Sequence, residues 1–169
     1  MEREQNSESK DLEKFRELLK DIHSCMMITT SVEGELNGRP MAATEVEQDG
    51  TLWFFTQDNS KKVKEISREQ KVLLTYASNA KNSYVVINGT AEISDDKEKI
   101  KELWNPLFKV WFPDGVEDPN IALVKVRPVK VEYWDGNSSK IILAINFLKS
   151  IVTGKKFDEG DHQLIVLNQ

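Results

Sequence analysis

The chain has 169 residues, which is enough for one ordinary domain and too few for two of full size. Hydrophobic residues make up 39% and charged residues 30%, a balance typical of a globular protein that folds without a metal or a disulfide. The net charge of −5 argues against a general nucleic-acid or anionic-membrane surface. The longest near-apolar stretch, residues 141–148, is too short to span a membrane.

Residues 1–9 are polar and are expected to be a disordered N-terminus, with residues 10–169 forming a single domain. The first residues lack the apolar core of a signal peptide and carry the acidic residues that transit peptides avoid. The single cysteine, Cys25, excludes an internal disulfide and a multi-cysteine metal site. These features predict a cytoplasmic protein.

The first half of the chain predicts a helix at residues 11–22 and then strands at 25–32, 39–46 and 51–56, with Pro40 near the start of the second. A turn with Gly34 and Gly38 precedes the second strand, and Asp49-Gly50 is a hairpin signal before the third. A short helix follows at Lys61–Arg68, and further strands are predicted at 72–77 and 84–93, the last with a possible bulge at Asn88-Gly89.

The second half opens with Asp95 and Glu98, which resemble a capping box for a helix that breaks near Pro106. A long alternating strand is predicted at 122–134, a helix from Ser138 or Ser139 to residue 152, and a final strand at 163–167. The strands are mostly consecutive, so βαβ repeats are not indicated. The fold class predicted is mainly β (α+β), an antiparallel barrel with flanking helices.

A cluster of positive residues between residues 38 and 62 suggests an anion site. Arg39 lies on one predicted strand, and Ser60, Lys61 and Lys62 follow the next at the start of a helix, where the backbone N–H groups favour an anion. The arginine suits forked contacts and the lysines supply point charges, which together fit a phosphate monoester. The alternative from charge alone is an ordinary solvated helix face.

The order and spacing of these motifs resemble the FMN-binding split barrel of the pyridoxamine 5'-phosphate oxidase-like family. The matching segments are Gly-Arg-Pro-Met at 38–41, Leu-Trp-Phe-Phe-Thr at 52–56 and Ser-Lys-Lys at 60–62. The segments at 103–106, 111–115 and 132–135 resemble the bacterial general stress protein branch of that family.

The resemblance implies non-covalent FMN at a homodimer interface, with FAD as the alternative cofactor. Arg39 and the Ser-Lys-Lys run would hold the phosphate, and the strand after Arg39 would run beside the flavin ring. The implied cofactor-binding residues are Arg39, Pro40, Met41, Ala42, Phe55, Thr56, Ser60, Lys61, Lys62, Tyr84 and Trp111.

Two departures argue against a true pyridoxamine-phosphate oxidase. Thr44 stands where the oxidases carry a substrate-contacting lysine, and their basic C-terminal motif has no match in residues 162–169. The function predicted is a stress-related, flavin-dependent oxidoreductase of unknown small substrate. The alternatives are a non-catalytic flavin-binding or buffering protein and a cofactor-free interaction module on the same barrel.

The remaining reactive residues have simpler interpretations. His23 and His162 have no second histidine at the spacing of metal ligands, so no metal site is predicted. Cys25 is predicted to be a buried, inert thiol. Trp53 is expected in the core or a dimer interface and Trp104 in packing, whereas Trp111 suits packing and flavin contact equally. No catalytic side chain is identified, since a flavin carries the hydride chemistry itself.

Overall fold

The computed structural model describes residues 15–20, 22–44, 46–80 and 83–134, together with residue 13 and the backbone of 142–145. Within these residues lies one antiparallel sheet of seven strands. The strands are β1 (Ser24–Thr30), β2 (Leu36–Ala42), β3 (Leu52–Gln57), β4 (Lys71–Ser78), β5 (Ser83–Ser94), β6 (Ile121–Trp134) and β7 (Ile142–Ile145). The helices are α1 (Lys61–Arg68) and α2 (Lys97–Leu103), with 3-10 turns at Pro106–Val110 and Gly115–Glu117 and helical residues at 13 and 15–19.

The sheet curls into a split barrel, as the sequence predicts. Its strand order is β2-β1-β4-β5-β6-β3, and β7 pairs with β6. The two end strands, β2 and β3, form no ladder with each other. Just after β2, the Thr44 N–H donates to the carbonyl of Trp53 on β3 at 3.4 Å. On this open side of the sheet, Arg39 of β2 contacts Glu65 of α1, the helix that follows β3.

Alternating side chains fill the barrel. The fully buried residues Met27, Phe54, Leu74, Ile87 and Val124 come from five different strands. This period of two is the pattern expected of strands with one face against a core.

A second buried cluster forms where α2 and the loops after it pack against β3 and β6. It contains Trp53, Ile100, Phe112, Ile121 and Leu123. The core role predicted for Trp53 is confirmed.

The bounds of β2 differ from the prediction of 39–46. The strand begins three residues earlier, because the tight turn is made by Gly34 with φ 84°, and Gly38 lies inside the strand. Pro40 is therefore in the middle of β2, where it is tolerated because β2 ends the sheet. Gly50, with φ 86°, makes a turn at the predicted place, but the predicted hairpin is wrong. The two strands that this turn joins are not paired with each other, since β2 pairs with β1 and β3 pairs with β6.

Four local predictions can be compared directly with the structure. Helix α1 has the predicted bounds, and the register of β5 and β6 shifts at Asn88/Gly89, which confirms the bulge. The cap of α2 is one residue later than predicted: the Asp96 carboxylate, and not that of Asp95, accepts from the N–H groups of Glu98 and Lys99. The predicted break near Pro106 is confirmed, since a 3-10 turn begins there.

The helix predicted from residue 138 to 152 is wrong at residues 142–145, which form β7. The sequence Ile-Ile-Leu-Ala-Ile at 141–145 is rich in β-branched residues, and β6 offers a free edge that pairs with it at Val131 and Tyr133. Pairing with an existing edge satisfies backbone groups that an isolated helix would have to satisfy alone. The rest of that prediction, the strand at 163–167 and the N-terminus at 1–9 lie outside the described residues.

Among the helices that the structure describes, none is both long and apolar enough to cross a bilayer.

Candidate functional site

The split between β2 and β3 brings together four of the predicted site residues. β3 ends at Gln57, and a turn in which the Ser60 N–H donates to the Gln57 carbonyl at 3.1 Å leads directly into α1. The first turn of α1 therefore lies beside the end of β3. We call the set formed by Arg39, Thr56, Ser60 and Lys62 the cradle.

Hydroxyl and ammonium groups form a chain across the cradle. The Thr56 and Ser60 hydroxyl oxygens are 3.3 Å apart, and the Lys62 Nζ donates to the Ser60 Oγ at 3.5 Å. Burial lowers the pKa of Lys62, and the nearby positive charge of Arg39 lowers it further. Lys62 is thus a half-buried cation within electrostatic reach of a second cation, Arg39, and an anion between them would stabilise both.

The N-terminus of α1 adds backbone donors to the cradle. Ser60 is the N-cap residue, but its side chain accepts no hydrogen bond from the helix, and the first turn contains no acidic residue. The Val63 N–H donates to the Ser60 carbonyl at 3.1 Å, whereas the N–H groups of Lys61 and Lys62 have no acceptor within the helix. These two groups suit an anionic ligand that completes the cap.

Arg39 is held from behind by β1 and α1. Its Nη1 donates to the Met27 carbonyl at 3.4 Å and to the Thr29 hydroxyl, and its Nη2 donates to Glu65 at 2.8 Å. These bonds use three of the five guanidinium N–H groups and leave two for a ligand.

Glu65 is the central residue that the sequence analysis missed. Its buried carboxylate accepts from the Thr29 hydroxyl at 2.5 Å, from the Asn37 amide at 2.7 Å and from Arg39. Burial alone would raise its pKa, but these donors and the charge of Arg39 hold the pKa of Glu65 below its usual value. The available signal was its position: Glu65 follows Lys62 by three residues and precedes the buried Ile66, so it lies on the inner face of α1.

Lys61 does not join the cradle. Its side chain is 73% exposed, and its Nζ lies 3.8 Å from the Glu65 carboxylate. The three-cation cluster expected from the sequence is therefore two adjacent cations, Arg39 and Lys62, with a third at the rim.

The other predicted residues of β2 and β3 flank the cradle. The Met41 side chain is buried in the barrel core, whereas Pro40 and Ala42 alternate with it on the exposed face of β2. The half-buried Phe55 ring packs against Phe108, with ring centroids 4.6 Å apart.

Tyr84 and Trp111 lie away from the cradle within this chain. Tyr84 is exposed on β5, three strands from β2 in the sheet order, which corresponds to about 14 Å. Trp111 is 57% exposed at the end of the 3-10 turn, where its ring packs on Phe108.

The residues considered for other chemistry occupy structural places. The Thr44 hydroxyl donates to the Trp53 carbonyl at 2.7 Å, and burial raises the pKa of the Cys25 thiol to about 12, as expected of an inert cysteine. No metal-binding group of three His, Cys, Asp or Glu side chains occurs among the residues that the structure describes. The basic C-terminal motif of the oxidases would fall outside the described residues.

A cleft of about 580 Å³ lies beside the residues that follow β2. It lies between the N-terminal helical segment and the residues Ala43, Thr44 and Val46. Its lining includes both acidic and basic side chains, among them Arg16 and Glu17. None of the cradle residues lines it. The cleft offers space near Thr44, but its mixed charges select no particular ligand.

Known proteins share this fold. A crystal structure of the general stress FMN/FAD binding protein from Xanthomonas citri is 28% identical, with a TM-score of 0.65 over 81% of this chain and 96% of that one. A crystal structure from Clostridium acetobutylicum, described as related to general stress protein 26 of B. subtilis, has a TM-score of 0.70 at 20% identity over 85% of this chain and 98% of that one. Protein bli-3 of Neurospora crassa is 26% identical over 141 residues, 78% of this chain and 68% of that protein.

The family model described as pyridoxamine 5'-phosphate oxidase like matches residues 10–158, nearly the whole chain. The family resemblance indicated by the sequence motifs is thereby confirmed, as is the likeness to general stress proteins. The chain belongs to the pyridoxamine 5'-phosphate oxidase-like family.

Proposed function

We propose that this protein binds FMN, with the phosphate of the cofactor held in the cradle. The observation that carries the proposal is the half-buried Lys62 beside Arg39: among the described residues it forms no ion pair with a carboxylate. Two adjacent cations, two hydroxyls and a free helix N-terminus match the charge and acceptor oxygens of a phosphate monoester. The relative from Xanthomonas citri is described as an FMN/FAD binding protein, which supports the same class of cofactor here.

We propose further that the protein is a homodimer. The outer face of the sheet carries Met26, Tyr84 and Trp134 as exposed apolar side chains. The strand register aligns Met26 with Pro40, and Tyr84 with Trp134. An apolar patch on a curved sheet favours a second copy related by a two-fold axis, which would also place aromatic side chains near the flavin of the other subunit.

The dimer can be tested with one charge substitution. Met26→Lys should convert the dimer to a monomer in light scattering, because it introduces an unpaired charge into the face. Val32→Lys, at the exposed turn between β1 and β2, is the matched control and should remain dimeric. A wild-type monomer that binds flavin fully would contradict the shared-site proposal.

The activity we propose is a flavin-dependent oxidation or reduction of a small molecule, in the cytoplasm and connected with stress. When bound, the flavin would supply the hydride chemistry, and the chain would hold the phosphate, orient the ring and exclude water. Thr44 is engaged with the Trp53 carbonyl and carries no charge, so a pyridoxamine-phosphate substrate is not favoured.

The experiment is an absorbance spectrum of freshly purified protein, followed by mass identification of what denaturation releases. We expect a flavin spectrum and FMN; release of FAD would revise the cofactor, and a colourless protein that takes up no FMN would overturn the proposal. Reduction by NADH or NADPH with reoxidation by a defined acceptor would support an oxidoreductase. A bound flavin that no donor reduces would favour a flavin-buffering role.

A further inference from the structure

A buried carboxylate lies directly behind the cradle. The Glu65 side chain is only 3% exposed, and the three groups that it accepts from come from β1 and β2: the Thr29 hydroxyl, the Asn37 amide and Arg39. One residue of α1 therefore connects the helix that carries Lys62 to the strand that carries Arg39.

The contacts fix the arginine before any ligand arrives. The Glu65 Oε2 accepts from both the Thr29 hydroxyl and Arg39, while Thr29 also accepts from the other Nη atom of Arg39. A free arginine side chain has many rotamers, and ordering it costs conformational entropy when it binds. Here that ordering has already occurred, and the two remaining N–H groups keep a fixed direction.

We propose that Glu65 is a positioning residue, which orients Arg39 so that its remaining N–H groups meet the phosphate of the bound ligand. This inference rests on the proposed function, since it concerns the same phosphate. Glu65 itself does not touch the ligand; it acts through Arg39.

Charge alone and positioning predict opposite changes in phosphate affinity when Glu65 is removed, so the direction of the measured change tests the inference. Glu65 carries a negative charge close to the cradle, so removing it should strengthen the attraction for an anion if charge alone mattered. If positioning dominates, removing Glu65 weakens phosphate binding despite the gain in positive charge.

Two substitutions separate the charge from the hydrogen-bond acceptor. Glu65→Leu removes both, whereas Glu65→Gln removes the charge but keeps an oxygen that can accept from Arg39 if the Asn37 amide reverses. We expect E65L to weaken FMN binding about tenfold, the loss of roughly one charge-assisted hydrogen bond, and E65Q to weaken it less. Riboflavin lacks the phosphate, and its affinity should be unchanged in both variants.

The Arg39→Ala background shows whether Glu65 acts through Arg39. There, E65L should cause no further loss of FMN affinity, since the residue it positions is gone. Tighter FMN binding in E65L and E65Q, or an equal loss in the presence and absence of Arg39, would overturn the inference.

Thr29→Val provides the same test if E65L does not fold. It removes the hydroxyl that joins Arg39 to Glu65 and keeps nearly the same shape, so FMN affinity should fall while riboflavin affinity stays constant. Unchanged FMN affinity in T29V would contradict the inference. If the wild-type protein binds FMN and riboflavin equally, the phosphate cradle and this inference both fail. If the protein binds FMN more tightly than riboflavin, and R39A removes that difference while the Glu65 and Thr29 variants keep it, only the inference fails.

Discussion

Substitution of Lys62 by methionine should change stability and cofactor binding in opposite directions. Methionine keeps an unbranched apolar side chain at this half-buried position. The substitution removes an ammonium group whose charged form is disfavoured both by burial and by the positive charge of Arg39. In the absence of ligand, relief of this repulsion should stabilise the fold by roughly 0.2–1 kcal/mol, the range of a partly exposed charge pair. For a chain of this length that corresponds to a rise in Tm of about 1–3 °C.

The same substitution removes a charge-assisted contact to the phosphate. The loss should be about 1.5–3 kcal/mol, or roughly 10- to 150-fold in the Kd for FMN, with riboflavin nearly unaffected. Calorimetric titration measures both ligands, and differential scanning fluorimetry of ligand-free protein measures the Tm.

Lys61→Met is the matched control for Lys62→Met. It changes the net charge of the protein by the same amount, but Lys61 is exposed and lies 3.8 Å from Glu65. We expect less than about a threefold loss of FMN affinity, since an exposed charge is screened by solvent. Equal losses in K61M and K62M, or a K62M protein that is less stable without ligand, would refute the local arrangement of charges described above.

Three further predictions concern the fold. Because the pKa of Glu65 is lowered in the folded chain, its carboxylate stabilises the fold above its unfolded-state pKa, and this contribution is lost as the pH falls through the folded-state pKa. Urea unfolding should therefore show a larger loss of stability for wild type than for E65Q between about pH 6 and pH 3; parallel curves would contradict this. The buried Cys25 thiol, with a pKa of about 12, should resist a thiol reagent in native protein at about pH 8 and react once unfolded; fast labelling of the native state would show that it is accessible. Gly89→Ala should cost about 1–3 kcal/mol in urea unfolding, because a Cβ there would lie 2.8 Å from the Arg127 carbonyl oxygen, whereas Gly38→Ala, with ordinary contacts of 3.5 Å or more, should cost less.

The split barrel could be predicted because its signals are local and agree with each other. Helix α1 has an apolar pair at Val63 and Ile66 and lies between two strands with strong β propensity, so its bounds follow from the hydrophobic pattern. The Asn88-Gly89 bulge was visible because glycine inside a strand leaves room for the neighbouring backbone, here that of Arg127.

The errors arose where tertiary pairing decides the structure. Residues 141–145 are apolar enough for a buried helix or a strand, and only the free edge of β6 selects the strand. The predicted start of strand β2 is three residues too late, because its pairing with β1, which sets its bounds, cannot be seen from local propensity.

Only part of the candidate site could be predicted, because the sequence shows residue types but not how the elements pack together. Residue types identified Arg39 and Lys62, but not the direction of Lys61, which depends on the rotation of α1 against the sheet. Glu65 was missed because a glutamate on a short, charged helix is usually solvated. Its burial among Thr29, Asn37 and Arg39 appears only when β1, β2 and α1 are assembled.

The most direct test is a pH titration of the FMN complex monitored by phosphorus-31 NMR, which reports the protonation state of the bound phosphate. Free phosphate monoesters gain their second proton near pH 6. If Arg39 and Lys62 hold the phosphate, the bound resonance should remain that of the dianion well below this pH in wild type and shift back towards the free value in K62M. A bound phosphate that titrates like free FMN would contradict the central claim.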